Sequence, residues 1–268
     1  MDIGINLRSM GEQSTRELLL ACARAAEAAG IESLWVPDHV AIPPDKAEGS
    51  GGRYLDPLTT LAWLGGATER IKLGSSVLVL PYRPILPTAR QVATVQELTE
   101  GRLLLGVGVG WMRAEFKALG VERSQRGKIT DETLAFLNEA FANDTVELNG
   151  QPFIFKPRPP KPPLLVGGTP PHALRRAAEL GDGWMPMAAE PQQISESIGD
   201  YRSLVAEAGK SPGNVTVLTA LPLDDPERSA ELLQGYEELG VDRVIVGLGY
   251  SDIDSFNEQV QVLTSIST

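Results

Sequence analysis

Tyr236-Glu-Glu-Leu-Gly-Val-Asp-Arg-Val-Ile-Val246 decides the fold. It reads as a helix end, a glycine at the cap, and then an apolar run with no polar alternation. Glycine suits the left-handed residue that closes a helix. An apolar run without alternation is what a parallel strand, buried on both faces, requires. The same order recurs at Ala25-Ala-Glu-Ala-Ala-Gly-Ile-Glu-Ser-Leu-Trp-Val36, at Leu98-Thr-Glu-Gly-Arg-Leu-Leu-Leu-Gly-Val107 and at Ala177-Ala-Glu-Leu-Gly-Asp-Gly-Trp184. Repeated helix-then-strand units imply a parallel sheet with helical crossovers.

Working outward, eight core strands are expected at about 2–7, 32–37, 71–78, 102–108, 163–167, 183–187, 214–219 and 242–247. Helical stretches separate most of them, and a last helix starts near 252. Eight such strands in one run favour an α/β fold closed as a (β/α)8 TIM barrel over an open sheet. The starts of the helices agree. Ser14-Thr-Arg-Glu17 reads as a capping box, and Asp56-Pro57 and Asp225-Pro226 each set a cap residue before a first-turn proline. Residues 145–155 break the rhythm and read as a hairpin around Asn149-Gly150. With 268 residues, the chain is expected to be a single barrel domain over 1–268 with that small hairpin insertion.

There are 24 Lys+Arg and 35 Asp+Glu, giving a formal net charge of −11. That balance argues against a nucleic-acid partner, which calls for a clustered basic footprint. The single cysteine, Cys22, forms no intrachain disulfide, and two distant histidines with one cysteine make no metal-ligating pattern. No stretch approaches the ~20 apolar residues of a membrane span. The first residues enter a strand-like run directly, so a soluble, cytoplasmic protein is expected.

In such barrels the chemistry sits at the C-terminal ends of the strands. His39 follows Pro37-Asp38 at the end of the second strand, placed for proton transfer or for a hydrogen bond to a bound ring. An Asp-His pair that merely fixes the next loop is the plainer reading. Gly106-Val-Gly-Val-Gly110 fails the dinucleotide fingerprint, because Trp111 and Arg113 stand where its last glycine belongs. These glycines either let a flat ring approach the backbone or serve turn geometry alone. Gly167-Gly168-Thr169 precedes Pro170-Pro171 and a helix, with Thr169 as candidate cap. A helix N-terminus beside glycines suits a phosphate, although an ordinary capped helix reads the same way. Arg83, Arg113, Arg123 and Arg126 follow strands three and four and are candidates for an anionic tail. Of the four tryptophans, Trp111 and Trp184 are best placed to stack on a cofactor.

Leu34-Trp-Val-Pro-Asp-His39, Leu73-Gly-Ser-Ser-Val-Leu-Val-Leu-Pro-Tyr-Arg83, Gly101 to Trp111, and Leu164 to Thr169 with Gly181-Asp-Gly-Trp184 together resemble the luciferase-like monooxygenase superfamily over residues 2–190. The nearest branch in pattern is the short group of oxidoreductases that use the deazaflavin coenzyme F420. The resemblance implies a luciferase-like TIM barrel, a flavin or deazaflavin across the strand ends, and a homodimer. It also implies a non-proline cis peptide at Ser76–Val77 under the cofactor ring. Carried over residue by residue, it makes Asp38 and His39 catalytic candidates. It makes Asn6, Ser75, Ser76, Val77, Gly106, Gly108, Gly110, Trp111, Gly167, Gly168, Thr169 and Trp184 cofactor-binding candidates.

Two departures narrow the expectation. Sugar-phosphate dehydrogenases of this superfamily have a Glu directly after the strand-four glycines, where this chain has Trp111. They have a Trp five residues beyond the Asp of the pair, where this chain has Pro43. The expected function is therefore F420-dependent hydride transfer to or from a small organic substrate other than a sugar phosphate. The alternatives are an FMN-dependent monooxygenase served by a separate reductase, and a flavin-binding barrel without turnover.

Overall fold

The computed structural model describes residues 1–211 and 213–267. Its strands are β1 (Asp2–Asn6), β2 (Ser33–Val36), β3 (Lys72–Ser75), β4 (Leu78–Val79), β5 (Leu103–Gly108), β6 (Thr145–Leu148), β7 (Gln151–Ile154), β8 (Leu164–Gly167), β9 (Gly183–Met185), β10 (Asn214–Thr219) and β11 (Arg243–Gly247). Its helices are α1 (Arg16–Ala28), α2 (Pro57–Gly65), α3 (Ile85–Leu98), α4 (Arg113–Leu119), α5 (Arg126–Ala142), α6 (His172–Leu180), α7 (Ser195–Glu207), α8 (Pro226–Glu238) and α9 (Ile253–Ile266). Among the described residues, parallel neighbours run β3-β2-β1-β11-β10-β9-β8-β5, and β3 pairs with β5 to close an eight-stranded barrel. The expected strand 71–78 is split. It stops at Ser75 and resumes as β4, which pairs with β5 through Leu78↔Val107.

Two apolar layers explain the unbroken hydrophobic runs. Inside the barrel, Trp35, Leu104, Leu165, Met185 and Ile245 form a separate buried cluster. Outside the sheet, residues such as Leu34, Leu103, Leu105 and Val246 pack in the larger core shared with the helices. Trp35 takes up most of the room near β1 and β3. A Cβ on Gly4 would lie 2.7 Å from its Nε1, and one on Gly74 would overlap its ring. The indole N–H donates to Ser33 Oγ at 2.8 Å, so the buried donor is satisfied.

Three of the four repeat glycines, Gly30, Gly101 and Gly240, adopt positive φ after their helices. Gly181 does not; its φ is −100°. It must be glycine for space, because a Cβ would lie 2.9 Å from Val166 Cγ2 and 3.1 Å from two backbone carbonyls. The first cap also shifts. Thr15, not Ser14, accepts from Leu18 N, while Ser14 Oγ donates to Gly11 O and accepts from Arg53 Nε. Asp56 and Asp225 cap α2 and α8 as expected. Asn149 and Gly150 both have positive φ and turn the β6–β7 hairpin. Among the described residues, no helix is long and apolar enough to cross a membrane.

Candidate active site

The Ser76–Val77 peptide is cis, at the gap between β3 and β4. Ser75 is buried and its Oγ donates to Gly106 O at 2.7 Å. Ser76 N donates to Val36 O, and Ser76 Oγ donates to Asn6 Oδ1 at 2.9 Å. This segment lies directly on β5 and β8. A Cβ on Gly106 would run into Ser75 O, one on Gly108 would sit 2.5 Å from Val77 Cγ2, and one on Gly167 would sit 2.9 Å from Val77 Cγ1. The space left by these glycines is therefore filled by Ser75 and Val77. The surface they build at the mouth is the half-buried Ser76–Val77 segment, not bare glycine backbone. Gly110 is different in kind, with φ +74° and Val79 packed against it.

Asp38 is 4% exposed and its carboxylate is fully engaged. Arg83 Nη1 donates to Oδ2 at 2.5 Å and Nη2 donates to Oδ1 at 2.9 Å, while Val79 N donates to Oδ2 at 2.8 Å. Arg83 Nη2 also reaches Asp56 Oδ2 at 3.0 Å. Burial pushes the Asp38 carboxyl up from its ordinary range, and the guanidinium with the Val79 N–H favours the anion. Because Arg83 stays charged, the pair is ionic. Asp38 thus ties the end of β2 to β4. The sequence suggested Arg83 for an anionic tail, but both of its donor edges are occupied by carboxylates.

His39 is half-buried, and its Nδ1 lies 3.0 Å from Glu115 Oε2. Glu115 is completely buried in the first turn of α4. Its Oε1 accepts from Val40 N at 2.6 Å and Ala41 N at 3.1 Å, and its Oε2 accepts from Tyr82 Oη at 2.8 Å. Burial alone would raise its pKa. The bonds from His39, Ala41, Val40 and Tyr82 outweigh burial and hold it at about 2. The same burial, together with Glu115, pushes the Tyr82 phenol up. An ionised carboxylate only accepts, so His39 Nδ1 carries a proton and donates it to Glu115. Nε2 is then the ring position left for other partners. Tyr54 and Trp111 meet the imidazole edge-on, at 4.9 Å and 6.1 Å between ring centroids.

A cavity of 460 Å³ opens where β8 ends beside the N-terminal turns of α5 and α6. Gly167, Gly168, Thr169, Ser124, Arg126 and Arg176 are among its lining residues. Arg176 is paired with Asp131 at 2.5 Å, whereas among the described residues the Arg126 guanidinium bonds only the carbonyl of Arg123. Next to them, Arg123 Nε is buried without a hydrogen-bond partner among the described residues. The Arg126 guanidinium, which has no carboxylate partner among the described residues, two helix starts and a positive-φ glycine at 168 form a donor set suited to a phosphate. Thr169 does not cap α6 with its side chain. Its carbonyl accepts from Ala173 N, and Pro171 holds the cap position.

The two tryptophan candidates separate. Trp111 is 65% exposed at the mouth beside His39. Trp184 is 1% exposed, packs near Tyr201, and donates from Nε1 to Gly168 O at 3.0 Å. It is core, and reaches the cavity only by fixing the Gly168 turn. Glu115, Tyr82 and Tyr54 were not expected at the site. An acidic residue in a first helical turn is ordinary, so Glu115 carried no signal of its own. Position 111 is a tryptophan, and the glutamate that reaches His39 enters at position 115.

Residues 4–224 match the profile of the luciferase-like monooxygenase family. An uncharacterized protein of Mycobacterium tuberculosis is 33% identical over 246 residues, covering 84% of this chain and 83% of that protein. The F420-dependent hydroxymycolic acid dehydrogenase of the same organism is 28% identical over 251 residues, covering 85% of this chain and 66% of that protein. Among solved structures, a monooxygenase from Streptomyces bottropensis superposes with TM-score 0.82 at 17% identity, covering 99% of this chain and 98% of that one. An F420-dependent secondary alcohol dehydrogenase does so with TM-score 0.79 at 17% identity, covering 99% and 97%. The structural likenesses concern the fold; the profile match and the 33% identity show that the chain belongs to the luciferase-like monooxygenase family.

Proposed function

We propose that this luciferase-like oxidoreductase transfers a hydride between the deazaflavin coenzyme F420 and a small organic substrate. The observation that carries the reading is the His39–Glu115 pair beside the Ser76–Val77 segment. It puts a proton-carrying imidazole at the strand ends, where the Ser76–Val77 segment would support a planar ring. A two-electron transfer to a carbonyl needs both a hydride and a proton, and an imidazole at neutral pH supplies the proton well. The residues fit the group. Ser76, Val77 and Asn6 would hold the ring, and Thr169, Ser124 and Arg126 would hold its phosphate. When bound, the deazaflavin supplies or accepts the hydride.

The protein's own part is positional and acid–base. Glu115 keeps Nδ1 protonated and the imidazole plane fixed, so that Nε2 gives or takes the proton on the substrate oxygen. Tyr54 and Trp111 flank the ring and reduce water access. Asp38 and Arg83 hold the β2 and β4 ends at a set spacing. The family relative named for F420 dependence agrees with this reading. The test is titration of the apoprotein with F420 and with FMN at matched salt, followed by ring fluorescence. Tighter binding of F420, and bleaching of its visible band by an alcohol, support the proposal. Preference for FMN would replace it with a monooxygenase supplied by a reductase.

A further inference from the structure

Arg8, two residues past the end of β1, is a half-buried cation. Its backbone N–H donates to Tyr250 Oη at 2.9 Å, which pins the chain. Its Nε is shut from water without a partner, and the guanidinium makes no hydrogen bond or ion pair among the described residues. A guanidinium donor taken from water without an acceptor is costly, and an anion brought to the group offsets that cost. The direction of the side chain follows from the strand. Ile5 and Leu7 pack in the outer core with the helices, so the alternation of β1 turns Gly4, Asn6 and Arg8 to the barrel axis. Leu7 N donates to Trp35 O, so the pairing with β2 runs on past Asn6. Arg8 therefore stands one step above Asn6, which accepts from Ser76 Oγ at the proposed ring support. The same segment leads to the acid–base group. Met10 bridges Tyr54, and the Tyr54 ring lies 4.9 Å from that of His39.

The position on the barrel separates this cation from the proposed phosphate site. In the order of strands, β1 and β8 lie four steps apart in either direction, through β11, β10 and β9 or through β2, β3 and β5. Arg8 thus faces the cavity at the end of β8 from the opposite rim. The surroundings favour a single charge over a dianion. On the His39 side, Arg83 is already bonded by Asp38 and Asp56, and Glu115 adds a third carboxylate. One unpaired guanidinium in a negative surround suits a monoanion, and its planar fork matches a carboxylate through two parallel N–H bonds. We propose that the substrate carries one carboxylate, held by Arg8, with its carbonyl or hydroxyl carbon lying towards His39. The anion seat is read from Arg8 itself; that its occupant is a substrate of hydride transfer rests on the function proposed above. In the reducing direction the carbonyl carbon gains the hydride from reduced deazaflavin and the oxygen gains a proton through His39. The coenzyme is oxidised, the carboxylate stays ionised on Arg8, and a hydroxy acid leaves.

The test compares three oxo acids, 4-oxopentanoate, 5-oxohexanoate and 7-oxooctanoate, with their methyl esters. Binding is read by calorimetry on the full chain, both with oxidised F420 and without cofactor. At least one acid is expected to bind about tenfold or more tighter than its ester, the range for one charge-assisted bond. Arg8→Gln and Arg8→Met should each erase that preference, and either variant alone suffices if the other fails to fold. Arg8→Lys, which keeps the charge without the fork, should retain part of it, and F420 affinity should stay within about threefold in all three variants. Esters that bind as tightly as the acids, no saturable binding of any acid, or a preference that survives Arg8→Gln or Arg8→Met would overturn the proposal. A larger loss of F420 affinity in those two variants would overturn it too, and give Arg8 to the cofactor. If F420 does not bind the wild type, while the acid preference stands on the cofactor-free chain and falls in Arg8→Gln, the hydride reading alone is removed.

Discussion

The Nδ1 of His39 stands 3.0 Å from Glu115 Oε2, across 76 residues of sequence. The contact joins the end of β2 to the first turn of α4. It turns a lone histidine into an oriented base with a defined tautomer. It also gives the helix start a second purpose, because Glu115 Oε1 takes the N–H groups of Val40 and Ala41. One carboxylate therefore shapes the loop that leaves β2 and the ring that the loop carries.

His39→Gln is expected to lower turnover by ~10²–10⁴-fold, the usual range for losing a general acid–base group. F420 affinity, measured by fluorescence titration, should change by less than about threefold, because His39 is not among the residues proposed to hold the ring or its phosphate. Turnover equal to wild type would remove His39 from the chemistry and leave it a loop anchor.

Glu115 links stability to pH. Its pKa falls from 4.5 to about 2 in the folded state. A lowered folded pKa stabilises the protein above the unfolded value, and the gain is lost as pH drops through the folded value. The folded chain should therefore weaken as pH falls from about 4.5 toward 2. In Glu115→Gln that part of the acid slope should flatten in urea melts run at several pH values. Glu115→Ala should cost ~2–4 kcal/mol at neutral pH, because buried donors from Val40, Ala41 and Tyr82 lose their acceptor. An unchanged acid slope in the Gln variant would mean that other carboxylates govern it.

The Asp38–Arg83 pair predicts a non-additive cycle. Arg83→Met leaves Asp38 buried with only the Val79 N–H, and should cost ~3–5 kcal/mol. Asp38→Asn should cost less, since Arg83 keeps Asp56. The double variant should be less destabilised than the sum of the two, because it buries no unpaired charge. Denaturant midpoints of the four proteins measure this directly. Simple additivity would show that the two groups do not act as a pair.

Much of the barrel was legible because its signals are local. Helix ends, cap glycines and unbroken apolar strands each follow from a few adjacent residues, as at Leu98 to Val107. The cis bond at Ser76–Val77 was legible only through a family-like pattern, whereas the Gly167-Gly168-Thr169 turn was proposed from its own residues. What escaped depends on distant contact. Nothing near Asp38 reveals that Arg83 will claim both its oxygens, and nothing near Trp184 reveals that its indole N–H will hold Gly168 O. Gly106 and Gly108 were visible as glycines, but the reason for them, Ser75 O and Val77, lies on another strand. Gly181 misled in the opposite way. It matched a local cap pattern, yet tertiary crowding against Val166 is what requires it.

The packing of Gly108 against Val77 gives a paired test at the proposed ring support. Gly108→Ala would place a Cβ 2.5 Å from Val77 Cγ2, so the Ser76–Val77 segment must move. F420 affinity should fall by at least about tenfold, since overpacking a close contact costs ~1–3 kcal/mol. Adding Val77→Ala removes the clashing methyl and should recover most of that loss. If the double variant binds no better than Gly108→Ala, the glycine matters for something other than Val77.

The cavity at the end of β8, proposed to hold a phosphate, carries a prediction about salt. Among the described residues, the Arg126 guanidinium bonds only the Arg123 carbonyl, and Arg176 is already neutralised by Asp131. Arg126 is therefore the lining cation proposed to meet a phosphate, with Ser124 and Thr169 as neutral donors around it. Arg126→Ala should weaken F420 binding ~10–100-fold at low ionic strength, the range for losing a charge-assisted bond. The deficit should narrow as salt rises, because screening weakens the wild-type contact and not the missing one. Arg176→Ala should act differently. It frees Asp131 next to the cavity, so its effect should come from repulsion and be relieved by a second change, Asp131→Asn. If Arg126→Ala binds F420 as tightly as wild type at low salt, the phosphate lies elsewhere on the mouth.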